Sequence, residues 1–136
     1  MSVFAVGSAD IDELWQHLLP HVERFERETQ LISAEDLRVE LKNAEKQLWS
    51  YDDNGPVGFA VTQVYSTARG NICCIWAACG TAPMEQILEV FDAIEGWARG
   101  LGCVALEIRG RKGWKRVLPG FKETGILLEK CLAKPN

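Results

Sequence analysis

Apolar residues recur at helical spacing in three stretches of the chain, and each stretch predicts an amphipathic helix. Asp10 opens the first stretch, and Glu13 follows three residues later in the spacing of a capping box. Pro20 lies inside this stretch and predicts a kink or a break, because proline removes a backbone amide and clashes with the preceding turn. The apolar stripe of this helix consists of Ile11, Leu14, Trp15, Leu18, Leu19, Val22 and Phe25.

The ends of the other two helices are marked by capping and breaking residues. Ser33 is a favourable N-cap for the second helix, whose inner face carries two leucines. Thr81 and Pro83 mark the start of the third helix, and Gly100 and Gly102 mark its end. The buried face of the third helix is predicted to consist of Ile87, Val90, Phe91, Ile94, Trp97 and Ala98.

Between the helices the apolar period changes to two, which predicts strands. The turn Asp52–Gly55 joins two of them in a hairpin, because its asparagine and glycine tolerate positive φ. The stretch Asn71–Cys79 is apolar on both faces and predicts a central strand covered on both sides. A helical crossover joins it to the next strand, so the two are predicted to be parallel. The predicted strands are Val3–Val6, Leu48–Tyr51, Val57–Ser66, Asn71–Cys79, Cys103–Arg109 and Phe121–Cys131, with a short helix at Trp114–Leu118 before the last.

These elements give the order β-α-α-β-β-β-α-β-α-β in one domain over residues 1–136. The fold class is α/β (α+β), with a mixed, mostly antiparallel sheet and helices on both faces. Hydrophobic residues make up 47% and charged residues 25%, which is ordinary globular composition. The net charge of −4 argues against general nucleic-acid or membrane binding. No secretory signal or apolar span is evident, so a cytoplasmic location is expected.

Cysteine and histidine spacing predicts no metal site. The five cysteines include no CxxC pair, and four of them fall in stretches predicted to be buried strands. His17 and His21 have the i, i+4 spacing of zinc ligands on a helix, but no third ligand accompanies them.

The segment Ala105–Phe121 resembles the closing segment of the GNAT acetyltransferase superfamily, in which a strand leads to a short helix and then Gly-Phe, here Gly120-Phe121. The order of elements is also similar to that family's. A Gly-Arg-x-Gly-Trp sequence before the short helix and an early Leu14-Trp15 are similar to small GNAT-like proteins of tailed bacteriophages and prophages. The resemblance implies a GNAT fold in the host-cell cytoplasm, with incorporation into the virion as a further expectation.

The stretch that would hold acetyl-CoA departs from the family pattern. Family members cradle the pyrophosphate with a glycine-rich loop at a helix start, whereas Ala78–Met84 has one glycine, Gly80, and a proline, Pro83. The strand Asn71–Cys79 lacks the family's glutamate, and the short helix lacks its tyrosine. The resemblance therefore implies a virion-associated structural or interaction module without a bound cofactor, whose partner is another phage-particle protein or a second copy of the chain.

The alternative prediction is a divergent acyl-CoA-dependent N-acyltransferase. In that case acetyl-CoA or another acyl-CoA would lie between the strands ending near Cys79 and beginning near Cys103. Two residues are weak catalytic candidates: Glu107 as a general base if burial raises its pKa, and Cys79 as a nucleophile near a helix start. Glu107 is equally interpreted as the ion-pair partner of Arg109, two residues on along one strand face. The cofactor-binding candidates are Trp76, Ala78, Cys79, Gly80 and Thr81.

A basic segment begins at the end of the predicted strand Cys103–Arg109 and concentrates five cations in eight residues, with a tryptophan among them. It is predicted to contact an anion, such as a CoA phosphate, or a protein partner. Nucleic acid is the lesser possibility, and a solvated loop is the plain alternative. The segment's residues are Arg109, Arg111, Lys112, Trp114, Lys115 and Arg116.

Overall fold

The computed structural model describes residues 2–52, 56–80, 83–109, 118, 120–125 and 128–133. Within these residues the helices and strands follow the predicted order as far as Ile108. A short 3₁₀ turn at Ser8–Asp10 precedes the first helix. The elements are β1 (Ser2–Val6), α1 (Ile11–Thr29), α2 (Ala34–Lys42), β2 (Gln47–Asp52), β3 (Pro56–Thr67), β4 (Gly70–Gly80), α3 (Met84–Gly100) and β5 (Ala105–Ile108).

The five strands form one mixed sheet in the order β1-β2-β3-β4-β5. Neighbouring strands are antiparallel up to β4, and β4 pairs with β5 in parallel. The parallel pair is the one that α3 connects, as the crossover predicts. β4 therefore has a strand on each side, which confirms its predicted central place.

Helices cover both faces of the sheet, so the core has two halves. On one face α1 and α2 pack on β3 through residues such as Leu18, Leu41 and Phe59. On the other face α3 packs on β4 through residues such as Ile94 and Ile75. All five of these side chains are at most 1% exposed. In the described part of the chain, no helix is both long and apolar enough to cross a membrane.

The start and the middle of α1 differ from the sequence prediction. Asp10 is the N-cap, but its side chain makes no capping hydrogen bond, because the 3₁₀ turn gives it φ −99° and ψ 0° rather than extended backbone. Pro20 does not break the helix, which continues to Thr29. Pro20 is exposed, and the apolar stripe on the opposite side, including Leu18 and Val22, stays buried through it. Burial of that stripe outweighs the single backbone hydrogen bond that proline removes.

The ends of α2 and α3 largely follow the predicted signals. The Ser33 hydroxyl accepts a hydrogen bond from the Asp36 amide at 3.1 Å, which confirms Ser33 as the cap of α2. α3 ends at Gly100, and Gly102 has φ +80°, which favours glycine. Pro83 is the N-cap of α3 rather than a helical residue, and Thr81 lies outside the described residues.

The predicted last strand, Phe121–Cys131, is not present in the described residues 121–125 and 128–133. Lys122 to Gly125 are exposed and include no apolar residue to bury against the sheet. Leu128 is 83% exposed and Leu132 is 86% exposed, so these leucines do not form the buried face of a strand. Cys131 is exposed for the same reason, contrary to its predicted place in a buried strand. Residues 114–117 of the predicted short helix lie outside the described part.

Candidate functional site

A β-bulge in β4 lies at Trp76. Val61 of β3 pairs with Ala77 and Thr62 pairs with Ile75, so Trp76 is the extra residue between two ladder positions. Trp76 and Ala77 consequently both contribute to the core half under α1 and α2, although consecutive strand residues normally alternate between faces. Bulges of this kind redirect a side chain and are frequent beside functional sites.

From the bulge onward, β4 extends past the end of β5. Their pairing runs from Ile72–Ala105 to Ile75–Ile108, whereas β4 continues to Gly80. In the part of the chain that the structure describes, the backbone from Trp76 to Gly80 therefore has no strand partner on the β5 side. Unpaired backbone N–H and C=O groups there can bind a ligand that carries amide groups. We call this feature the β4/β5 opening.

Three polar side chains meet next to the opening, on the face that carries Trp76. The Tyr65 hydroxyl donates a hydrogen bond to Glu107 Oε2 at 2.8 Å. Arg109 Nε donates to the other carboxylate oxygen, Oε1, at 3.1 Å. This ion pair is the one that alternate spacing along the strand predicts, and its carboxylate side chain is 33% exposed. Tyr65 of β3 thus reaches across β4 to the carboxylate that Arg109 holds at the end of β5.

The charge state of this cluster follows from its hydrogen bonds. Burial tends to raise the pKa of Glu107, but hydrogen bonds from Tyr65, Arg109 and Cys74 outweigh it, and the pKa lies below its ordinary value. The pKa of Tyr65 is raised because its hydrogen bond to Glu107 favours the protonated phenol. Burial, followed by the charge of Glu107, raises the pKa of Cys74 to about 12. At neutral pH the cluster therefore presents the Glu107 carboxylate, paired with the Arg109 guanidinium, and the neutral phenol and thiol of Tyr65 and Cys74.

Trp76 is held in place on several sides. Its indole Nε1 donates to Gln63 Oε1 at 2.9 Å. The Arg109 guanidinium carbon lies 5.3 Å from the ring centroid, and Lys46 Nζ lies at the same distance. Both distances are within the range of cation–π attraction. Trp76 therefore forms a fixed wall at the point where the pairing of β4 with β5 ends.

Of the residues predicted from the sequence, the structure brings together Trp76, Glu107 and Arg109. Ala78 packs instead against the core half under α3. Glu107 has a lowered pKa, so the condition set for a general base is not met in this structure. Cys79 and Gly80 end β4, but their side-chain surroundings lie outside the description. Outside the described residues altogether lie Thr81, Arg111, Lys112, Trp114, Lys115 and Arg116.

Sequence reasoning missed Tyr65, Gln63 and Cys74. The signal was available in the strand register: Gln63 pairs with Cys74, and Cys74 pairs with Glu107. Residues at paired positions share a sheet face, so the polar members of three predicted strands would have been grouped by aligning them. Among the described residues, no group of three histidine, cysteine or acidic side chains is placed to hold a metal ion.

The start of α3 is a poor site for an anion, whereas the opening suits a ligand with amide groups. Pro83 has extended backbone and supplies no side-chain cap, and Glu85 lies in the first helical turn. The positive end of the helix dipole attracts anions, but the Glu85 carboxylate in the first turn offsets this attraction.

Comparison with solved structures identifies the fold. A probable acetyltransferase superposes with a TM-score of 0.73 at 12% identity, with 100% of each chain covered. The GNAT acetyltransferase fold is the fold of this chain. An aminoglycoside acetyltransferase from an uncultured soil metagenomic sample, in complex with trehalose, has a TM-score of 0.73 at 13% identity, covering 97% of this chain and 96% of its own. A predicted acetyltransferase from Clostridium acetobutylicum, with acetyl-CoA, has a TM-score of 0.66 at 16% identity and covers 96% of each chain.

These superpositions show the fold, and at such low sequence identity the activity has to be argued from the site. No protein-family model matches the sequence. No curated protein matches it either.

Proposed function

We propose that this GNAT-fold domain is an acyl-CoA-dependent N-acyltransferase that binds the acyl-bearing arm of its cofactor in the β4/β5 opening. The observation that carries the proposal is that β4 continues to Gly80 after its parallel pairing with β5 ends at Ile75 and Ile108, so that among the described residues the backbone from Trp76 to Gly80 has no strand partner on that side. A site of this kind lies outside the carboxyl ends of parallel strands, where α/β folds commonly bind ligands.

The residues present fit one part of acyl-CoA better than the other. The unpaired backbone of β4 would hold the amide groups of the pantetheine arm. The start of α3 offers the phosphates less, because of Pro83 and Glu85. Bound acyl-CoA would supply an acyl group activated as a thioester.

Glu107 and its partners are suited to holding an amine next to the opening. The carboxylate accepts hydrogen bonds, and its lowered pKa keeps it ionised at neutral pH. A weakly basic carboxylate binds and orients an ammonium group better than it removes a proton from it. The proton on the amine nitrogen would therefore pass to water, and Glu107 would act by orientation. Tyr65 and Arg109 hold the two carboxylate oxygens in one geometry.

Thermal unfolding with acetyl-CoA and with S-acetylpantetheine tests the proposal. A ligand that binds only the folded state must raise the melting temperature, and a ligand at about 100 times its Kd stabilises by about 2.7 kcal/mol. Both ligands are expected to raise it, because the arm alone contacts the opening. Absence of any shift with either thioester would refute the proposal.

Transfer to a primary amine is the second test. Glu107→Gln should keep the thermal shift with acetyl-CoA while raising the KM for the amine, since the variant loses the charge that orients it. Glu95→Gln is the matched control, because Glu95 pairs with Arg99 on the exposed side of α3, away from the opening. If E107Q left the KM for the amine unchanged, Glu107 would not be part of the amine-binding site.

A second candidate is a non-catalytic interaction module of a phage or prophage particle. The start of α3 favours this candidate. Its N-cap, Pro83, makes no side-chain capping hydrogen bond, and Glu85 places a negative charge in the first turn, so the surroundings are poor for CoA phosphates. In this case the basic segment that begins at Arg109 would contact a particle protein or a second copy of the chain. Flat titrations with both thioesters, together with concentration-dependent self-association in sedimentation, would favour this candidate over the transferase.

A further inference from the structure

A cavity of about 300 Å³ lies beside the opening, between the end of α1, the helix α2 and the strands β3 and β4. Its wall is mainly apolar and includes Phe25, Leu31, Leu37, Val61 and Trp76. The volume is at the lower end of the range of small-molecule sites. A cavity of this size and lining suits a short aliphatic or aryl-alkyl group.

Three charged side chains also line the cavity, and two of them neutralise each other. Lys46 forms an ion pair with Glu40, and the side chains are only 11% and 27% exposed. Lys46 additionally lies over the Trp76 ring. Its charge is therefore already matched by a carboxylate and an aromatic face, and it is not available to an anionic ligand.

Asp36 is the remaining charge. Within the described part of the chain, its carboxylate forms no ion pair or side-chain hydrogen bond, although its backbone amide donates to Ser33. The lining consequently has a net charge of −1, located at Asp36. An exposed carboxylate beside an apolar cavity attracts an ammonium group and repels a carboxylate.

The cavity and the opening share Trp76, which lines the first and lies where the second begins. We infer that the cavity binds a primary amine on an apolar stem, with the stem against Trp76 and the ammonium group near Asp36. The ammonium group bound at Asp36 is not the one that Glu107 would orient at the opening, so this site is separate from that of the acyl acceptor and the inference goes beyond the proposed function. Binding of the amine itself is independent of acyl-CoA.

Calorimetric titration of the full chain with n-hexylamine, hexan-1-ol and hexanoate tests the inference. These probes share one stem and differ in charge. We expect hexylamine to bind more tightly than hexanol and hexanoate to bind least, because only the amine is attracted by Asp36. Equal affinity for the three probes, or no binding of hexylamine, would overturn the inference.

Two substitutions locate the bound amine. Asp36→Asn should weaken hexylamine binding about fivefold, the upper range for an exposed ion pair, and should leave hexanol binding unchanged. Glu35→Gln removes the same charge from the same helical turn at a residue that does not line the cavity, and should change neither affinity. Leu31→Ser should weaken the binding of both hexylamine and hexanol, because Leu31 lines the cavity. The variant should still fold, since Leu31 is 63% exposed and can be replaced without loss of core packing. Equal effects of D36N and E35Q would assign the attraction to general surface charge and contradict the cavity site.

The acetyl-CoA titration separates this inference from the proposed function. Selective amine binding that depends on Asp36, without any thioester binding, would support the cavity and refute the transferase. Thioester binding without selective amine binding would support the transferase and refute the amine site in the cavity.

Discussion

The hydroxyl of Tyr65 and the carboxylate of Glu107 are joined by a 2.8 Å hydrogen bond between residues 42 positions apart in the sequence. Tyr65 belongs to β3 and Glu107 to β5, so the bond crosses over the intervening β4. It ties the antiparallel part of the sheet to the parallel strand at the position where the opening begins. Its strength should therefore influence both the stability of the sheet and the charge of the site.

Tyr65→Phe is expected to lower the free energy of unfolding at pH 7 by about 1 kcal/mol, since a hydrogen bond to a charged but partly exposed group is lost. The folded-state pKa of Glu107 lies below its ordinary value of 4.5. The stabilisation that ionised Glu107 contributes to the folded state is thus complete above about pH 4.5 and disappears as the pH falls through the folded-state pKa. Urea denaturation of both proteins from pH 7 downward should show the difference shrinking in acid.

The same substitution in a Glu107→Gln background provides the control. Without the carboxylate, Y65F should cost less than it does in the wild-type chain, and the acid dependence of its cost should vanish. A cost that is the same at all pH values in both backgrounds would mean that the tyrosine acts by packing alone.

The buried cysteines of β4 should be inert towards thiol reagents. Burial raises the pKa of Cys73 to about 11 and that of Cys74 to about 12, so almost no thiolate exists at pH 8. Cys131 is exposed. Iodoacetamide at pH 8 followed by peptide mass spectrometry should therefore label Cys131 in the folded chain, and Cys73 and Cys74 only after denaturation. Labelling of Cys74 in the folded state would indicate that β4 opens locally.

The same thiols predict the alkaline limit of stability. Each folded-state pKa is above the ordinary value of 9.0. Between that value and the raised pKa the unfolded chain binds fewer protons than the folded chain, so stability must fall as the pH rises. Cys74→Ala should reduce this fall, which guanidinium denaturation between pH 8 and pH 11 would measure. An unchanged slope would assign the alkaline loss to other groups.

The architecture could be predicted from the sequence because each element has a periodic apolar face. The stripe from Ile11 to Phe25 and the doubly apolar stretch from Asn71 to Cys79 specify which surfaces must be buried, and burial then determines the order of layers. In the predicted last strand, the described residues from Lys122 to Gly125 and from Leu128 to Cys131 are all exposed. The prediction of a strand there is wrong for these residues, because they present no apolar face to the sheet.

The site was predicted less completely because it depends on register. Glu107 and Arg109 were paired by their spacing along one strand, a local property. Tyr65 reaches Glu107 only because β3, β4 and β5 align in one particular register, and the bulge at Trp76 then shifts the pairing of β3 with β4 by one residue from Ala77 onward. The sequence gives no periodic signal of the bulge, because the bulged residue is apolar like the strand residues on either side of it.

Asp12 is expected to hold α2 against α1 in a salt-dependent way. Its carboxylate accepts from Arg38 at 2.7 Å and from Lys42 at 2.9 Å. Hydrogen bonds from Lys42 and then Arg38 lower its pKa, so this contribution is present above the ordinary value of 3.8 and is lost in stronger acid. Asp12→Asn should lower the melting temperature slightly at pH 7 and low salt. The decrease should shrink in 1 M salt, and Asp92→Asn on the exposed side of α3 should show no comparable dependence.

Gly70 should tolerate no side chain, because it opens β4 with φ +124° and faces the approach to β5. A Cβ built there would lie 2.9 Å from Val104 Cγ1. The next residue, Asn71, accepts a hydrogen bond from the Val104 amide at 2.8 Å, so a shift of Val104 would disturb the start of the parallel pair. Gly70→Ala is expected to destabilise the chain by about 1–3 kcal/mol through backbone strain and this contact.

Gly96 provides the opposite case within the same domain. It lies inside α3, and a Cβ there would meet nothing within 4 Å. Gly96→Ala should therefore stabilise the chain by about 0.5–1 kcal/mol, because alanine loses less conformational entropy on entering a helix. Urea denaturation of both variants gives the two signs directly. Because Gly70 begins the strand whose far end forms the opening, G70A should also weaken acetyl-CoA binding, whereas G96A should not. Equal thioester affinity in G70A would show that the opening keeps its geometry when the start of the parallel pair is strained.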